Sequence, residues 1–96
     1  MITKSPAHPL NEVVVDETVK LRGDERLEYV MYRGEKYGRD SYSVQAIQYK
    51  NGNKVCQATA SDVSSGYTAA KSIFDAVSCG LVEPYLLCDV VYDLLP

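Results

Sequence analysis

The chain has 96 residues, a mass of 10.6 kDa, 46% apolar and 24% charged side chains, and a net charge of −3. These values exclude a disordered, coiled-coil or collagen-like chain and leave room for one modest core, not for two domains with a cofactor cleft between them. No apolar run reaches the roughly 18–20 residues that span a bilayer, no apolar signal segment follows Met1, and the expected location is the cytoplasm.

Residues 1–10 contain Pro6 and Pro9 and no periodicity, and read as a flexible N-terminal arm. Residues 11–96 then form a single domain. Val13, Val15, Val19 and Leu21 fall on one parity, with Glu12, Asp16, Thr18, Lys20 and Arg22 on the other, the alternation of a half-buried strand. Gly23-Asp24-Glu25 breaks it as a turn, and Leu27, Tyr29 and Met31 resume it in a second strand. Residues 33–40 are polar, hold two glycines and read as a connecting loop. Ser41 to Tyr49 forms the third strand. Asn51-Gly52 is a strong hairpin signal, because a type I′ turn needs positive φ at both positions. A plain two-residue turn would set Ile47 opposite Cys56 and Val44 opposite Thr59, with Cys56, Ala58 and Ala60 sharing a face narrow enough for a helix to approach.

The period changes after Asp62, where Asp62, Ser64 and Ser65 all suit a helix N-cap. Ala70, Ile73, Phe74 and Val77 recur at helical spacing. Gly80 suits a left-handed C-terminal position. Pro84 suits the first turn of a second helix, whose apolar stripe is Leu87, Val90, Val91 and Leu94. The order ββββαα predicts an α+β fold: a four-stranded antiparallel β-meander followed by a C-terminal αα-hairpin packed on one sheet face.

Within the second half, Tyr42-Ser43-Val44, Asp62-Val63-Ser64, Val82-Glu83-Pro84 and Leu87-Cys88-Asp89-Val90-Val91-Tyr92-Asp93-Leu94 resemble a family of short bacterial proteins of unknown function from Gram-positive anaerobes. The resemblance spans roughly residues 27–95. It implies a small cytoplasmic domain and brings no activity and no functional residues to carry over.

Few constellations carry chemistry. Cys56, Cys79 and Cys88 are odd in number and widely spaced, and the one histidine, His8, stands in the arm, so neither a metal nor a cofactor is expected. The three cysteines read as reduced core or near-core thiols. Cys88 in the second helix lacks a base and a cation, and the glycines have no phosphate-loop spacing, so no reaction can be named. Asp89 and Asp93 read as solvated acids four apart on one helix.

Charge and tyrosine are distributed unevenly. Residues 1–54 hold nine basic and eight acidic side chains, whereas residues 55–96 hold Lys71 against five acids. Five of the eight tyrosines lie between residues 29 and 49, interleaved with Arg26, Arg33, Lys36 and Arg39. Two functions follow. One is a protein-interaction or regulatory module that pairs with a partner or with a second copy as a homodimer. It would use the sheet face opposite the helices, where Val14, Val30 and Tyr32 fall on the off-core parity. The other is binding of nucleic acid or an anionic ligand through Arg33, Lys36, Tyr37, Arg39 and Tyr42, which the net negative charge disfavours.

Overall fold

Alternating strands give way to helical spacing near Asp62, and the computed structural model, which describes residues 12–95, follows that change. Strands β1 (Val13–Arg22), β2 (Glu25–Lys36), β3 (Arg39–Lys50) and β4 (Asn53–Ser64) form one antiparallel sheet in the order β1-β2-β3-β4. Helix α1 (Tyr67–Cys79), a 3-10 turn (Pro84–Leu86) and helix α2 (Leu87–Leu94) complete the ββββαα fold. The expected arm at residues 1–10 lies outside the described residues. No helix among the described residues is long and apolar enough to cross a membrane.

Each pair of strands is joined by a two-residue turn. Gly23-Asp24 has positive φ at the first position alone, the pattern of a II′ turn, while Asn51 (φ 53) and Gly52 (φ 82) match I′. The expected loop over residues 33–40 does not form. Instead β2 and β3 continue to the turn Tyr37-Gly38, where φ is 55 and 75 and Lys36 pairs with Arg39. Tyrosine is not a turn-forming residue, so only Gly38 marks this hairpin in the sequence.

Bulges reset the faces. Val14 pairs with Tyr32 but Asp16 with Met31, so Val15 is an extra residue in β1. A one-residue slip inverts every later side chain. Asp16, Thr18 and Lys20 therefore share the helix side with Leu27, Tyr29 and Met31. Val19 and Leu21, expected in the core, turn to the far face. In β4 one extra residue is Val55, since Tyr49 pairs with Lys54 and Gln48 with Cys56, and a second irregularity sets Ser61–Val63 opposite Ser43 alone, since Tyr42 pairs with Ser64 and Val44 with Ala60. The expected pairing of Ile47 with Cys56 is replaced by Ile47 with Gln57, and Val44 meets Ala60 instead of Thr59.

The core lies between the sheet and α1 and α2. Leu27, Tyr29, Met31, Val44 and Ala46 from the central strands pack with Ala70, Ile73, Phe74, Val77, Leu87 and Val91. Ala46 pairs with Ala58 and Val44 with Ala60, so the surface beneath the helices is shallow, as the small residues of the fourth strand predict. The Tyr29 hydroxyl donates to the Val82 carbonyl at 3.0 Å, and burial pushes its pKa up to about 12.

Two caps differ from expectation. Helix α1 starts at Gly66 with no side-chain cap, because β4 continues through Ser64, whose Oγ accepts from the Gly66 N–H at 3.0 Å. At the other end Gly80 is right-handed and Leu81 takes φ 54. The Val82 N–H bonds the Val77 carbonyl (3.1 Å) and the Leu81 N–H the Ser78 carbonyl (3.2 Å), a Schellman motif with leucine in the left-handed place. The place of Gly80 is tight: a Cβ there would lie 3.0 Å from the Ala76 carbonyl oxygen.

Candidate interaction surface

The far side of the sheet is divided into a closed end and an open one. At the closed end Tyr32 (4% exposed) donates its hydroxyl to Gln45 Oε1 at 2.9 Å, and Gln45 Nε2 donates to Thr59 Oγ1 at 3.3 Å. Gln45 is fully buried, with Ser43 and Ser41 nearly so. This polar row crosses β2, β3 and β4 and satisfies the Gln45 amide on both atoms, which makes its burial affordable. Burial is also the main reason that the Tyr32 phenol is pushed above its ordinary value, with Glu12 and Glu17 adding to it.

The open end lies along β1, whose outer edge pairs with no strand among the described residues. Val14 is 47% exposed, Val19 52% and Leu21 78%. Register places Val19 beside Glu28 and Leu21 beside Arg26. Behind them Arg26 lies 4.1 Å over the Tyr49 ring, with its Nε 3.1 Å from Glu28 Oε2. Half-buried Val30 lies between Glu17 and Gln45. An edge strand that carries bare valine and leucine is unusual in a monomer, because such edges template pairing with another chain. A lysine–acid cluster fixes β1 to the helices: the Lys71 ammonium contacts Asp16 Oδ2 and lies 2.9 Å from Asp75 Oδ1. The Lys71 bond holds the Asp16 carboxyl below its ordinary range.

The basic group expected from sequence is only partly assembled. Arg33, Lys36, Tyr37 and Arg39 are exposed around the tip of the β2–β3 hairpin, and Tyr37 is 92% exposed. Lys36 is drawn to Asp62, with Nζ to Oδ2 at 3.3 Å, and lies 5.8 Å from the Tyr37 ring. Ser41 Oγ donates to Asp62 Oδ1 at 2.9 Å. Asp62 itself is left-handed (φ 54), and its N–H donates to Ser43 Oγ at 3.2 Å. The Ser41 hydroxyl and then Lys36 hold this carboxyl low. Tyr42 does not join the tip. It is 5% exposed, belongs to the core and meets Tyr67 edge-on at 6.1 Å. Tyr32 likewise presents no open ring.

The residues missed by sequence reasoning are Val19 and Leu21. Their alternation was plain, and only the bulge at Val15 reverses its meaning. All three thiols are free and Cys56 is half-buried, as expected, but Cys79 and Cys88 are exposed rather than near the core. Among the described residues no group of three His, Cys, Asp or Glu side chains could hold a metal ion.

No family model, curated protein or solved structure matches the chain, so the resemblance noted above rests on its residues alone.

Proposed function

We propose that this protein is a small interaction module that self-associates through the exposed edge and outer face of β1. The observation that carries the reading is the exposure of Val14, Val19 and Leu21 on one edge strand. Burying apolar area is the main favourable contribution to association. A cytoplasmic setting accords with three free thiols.

The arrangement of tyrosines gives less support to nucleic-acid binding. Stacking needs open rings beside free cations, whereas Tyr32 and Tyr42 are buried and Lys36 is engaged by Asp62. Sedimentation equilibrium of the full chain in reducing buffer tests the proposal. A dimer whose dissociation constant rises on Leu21→Glu supports it, and a monomer at high micromolar concentration overturns it.

A further inference from the structure

Two copies that meet through β1 can stack face on face or join edge on edge. Among the described residues the sheet has two edges that pair with no further strand, β1 and β4, and they differ in regularity. β4 is interrupted at Val55 and again over Ser61–Val63, where Asp62 takes φ 54. β1 is interrupted once, at Val15, and every residue of Asp16–Arg22 then pairs with β2 in unbroken register. Bulges blunt an edge against strand addition, so the regular run of β1 is the better template.

The hairpin turn fixes which backbone groups of that run point outward. Arg22 pairs with Glu25 across the two-residue turn Gly23-Asp24, and the pair that closes such a turn is hydrogen-bonded. Bonded and non-bonded pairs alternate along an antiparallel ladder. Asp16, Thr18, Lys20 and Arg22 therefore direct their N–H and C=O groups to β2. Glu17, Val19 and Leu21 turn theirs to the open edge, and their side chains are exposed as well.

Charge and overlap select the register. Open groups recur on every second residue, so the two-fold axis of an antiparallel pair falls on a residue. An axis at Asp16, Glu17, Lys20 or Arg22 sets like charges directly opposite, and one at Leu21 sets Lys20 against the partner's Arg22. An axis at Thr18 runs Leu21 into the bulged Val15 of the partner subunit. An axis at Val19 overlaps the whole of Asp16–Arg22 in both copies. Glu17 then lies opposite the partner's Leu21, Thr18 opposite the partner's Lys20 and Asp16 opposite the partner's Arg22, with no like charges face to face. Asp16 is held by Lys71 and Arg22 by Glu25 and Glu83, so repulsion avoided and backbone bonding choose this register, not a new ion pair.

We infer that two copies of the chain join edge to edge through β1, antiparallel about a two-fold axis at Val19, into one continuous sheet with the helices of both copies on the same side. This rests on the self-association proposed above and adds its geometry. The Val19 N–H of each copy donates to the partner's Val19 carbonyl, and Glu17 and the partner's Leu21 exchange the same bonds. On the outer face Val19 and Leu21 of the two copies form one apolar patch across the joint.

Three measurements test it. In sedimentation equilibrium of the full chain in reducing buffer a dimer is expected, and a monomer at high micromolar concentration overturns both the geometry and self-association. Amide hydrogen exchange is then followed by ¹⁵N–¹H spectroscopy below and above the dissociation constant. The Glu17, Val19 and Leu21 amides should exchange about tenfold more slowly, or slower still, in the dimer, while Thr18 and Lys20, bonded to β2, are slow in both states. A dimer in which those three amides exchange as in the monomer is stacked by its faces: it overturns edge pairing and leaves self-association standing. Slow exchange of all three already in the monomer overturns edge pairing too, since another part of the chain then occupies the edge. The register is read by exchanging charges. Leu21→Glu sets a carboxylate opposite Glu17 of the partner subunit and should weaken the dimer, and adding Glu17→Lys should recover about tenfold, more than the same change gives in the parent chain. Within one copy the two positions are four residues apart along a strand, too far to interact directly. Both variants should keep the parent circular dichroism. A double variant that binds no more tightly than Leu21→Glu alone refutes the axis at Val19.

Discussion

Replacing Val19 by Lys and Leu21 by Glu together separates the bulged β1 from an unbulged one and tests self-association in the same molecule. Val19 lies beside Glu28 and Leu21 beside Arg26, so each new charge meets its opposite across the strand pair. Such cross-strand pairs contribute about 0.2–1 kcal/mol each, and the isolated monomer should change by less than about 1 kcal/mol. The dimer should respond differently. Full burial of a Val or Leu side chain contributes about 1.5–3 kcal/mol. With half of Val19 and most of Leu21 exposed, a two-fold contact covers about 4–6 kcal/mol across four side chains. Loss of that contribution raises the dissociation constant by at least about a thousandfold. Urea melts at nanomolar protein, read by tyrosine fluorescence, give the monomer's stability, and sedimentation equilibrium gives the association. Loss of more than about 2 kcal/mol in the dilute melt would mean that Val19 and Leu21 are core residues and that β1 has no bulge. An unchanged dimer would mean that the contact lies elsewhere.

Other expectations follow from local geometry. Tyr37→Asn places a residue that tolerates positive φ in the β2–β3 turn, at a site that is 92% exposed; it should stabilise the fold by about 0.5–1 kcal/mol and raise the melting temperature by several degrees. Gly80→Ala forces a Cβ against the Ala76 carbonyl oxygen at 3.0 Å and should destabilise by about 1 kcal/mol in the same melt. The Tyr29 phenol is raised to about 12 in the folded state, from 10 for a free side chain. Its contribution is therefore complete below pH 10 and is lost as pH rises from 10 towards 12, and Tyr29→Phe should flatten the alkaline limb of the stability–pH curve. Removing the hydroxyl bond to Val82 should also cost about 0.5–1.5 kcal/mol at neutral pH. Asp16 has the opposite sign: its folded pKa lies below the ordinary 3.8, so its stabilisation is present above that value and is lost as pH falls through the folded one. Asp16→Asn should weaken the acid dependence seen in denaturant midpoints.

The order of elements was legible because each strand and helix carries its own periodicity, and the α1 stripe of Ala70, Ile73, Phe74 and Val77 is buried as its spacing requires. The α2 stripe holds at Leu87 and Val91, while Leu94 at its end is exposed. What the spacing could not show are the register irregularities at Val15, at Val55 and at Ser61–Val63. Val15 and Val55 are ordinary strand residues, and nothing in their chemistry marks them as bulges. A left-handed Tyr37 is held there by the ladder that closes at Lys36 and Arg39, and a left-handed Leu81 by the backbone bonds to Val77 and Ser78, rather than by its own preference. The candidate surface was read in part for the same reason. Val14 was placed on the correct face because it precedes the bulge, and Val19 and Leu21 were misplaced because they follow it. Tyr42 could pass for a binding residue until its T-shaped contact with Tyr67 was seen.

The meander also constrains how the chain is made. Every strand pairs with its sequence neighbour through a two-residue turn, so the sheet is a series of hairpins with no crossover and each can close once its two strands have left the ribosome. Its apolar side has no cover until Tyr67–Leu94 arrives, because Leu27, Tyr29, Met31 and Val44 are buried by helices made last. During that interval the nascent sheet shows water a greasy face, the condition in which incomplete chains stick to one another or to a chaperone. Synthesis stalled between Ser64 and Leu87 would therefore yield an insoluble product, and the C-terminal helices act for this sheet as its solubilising segment.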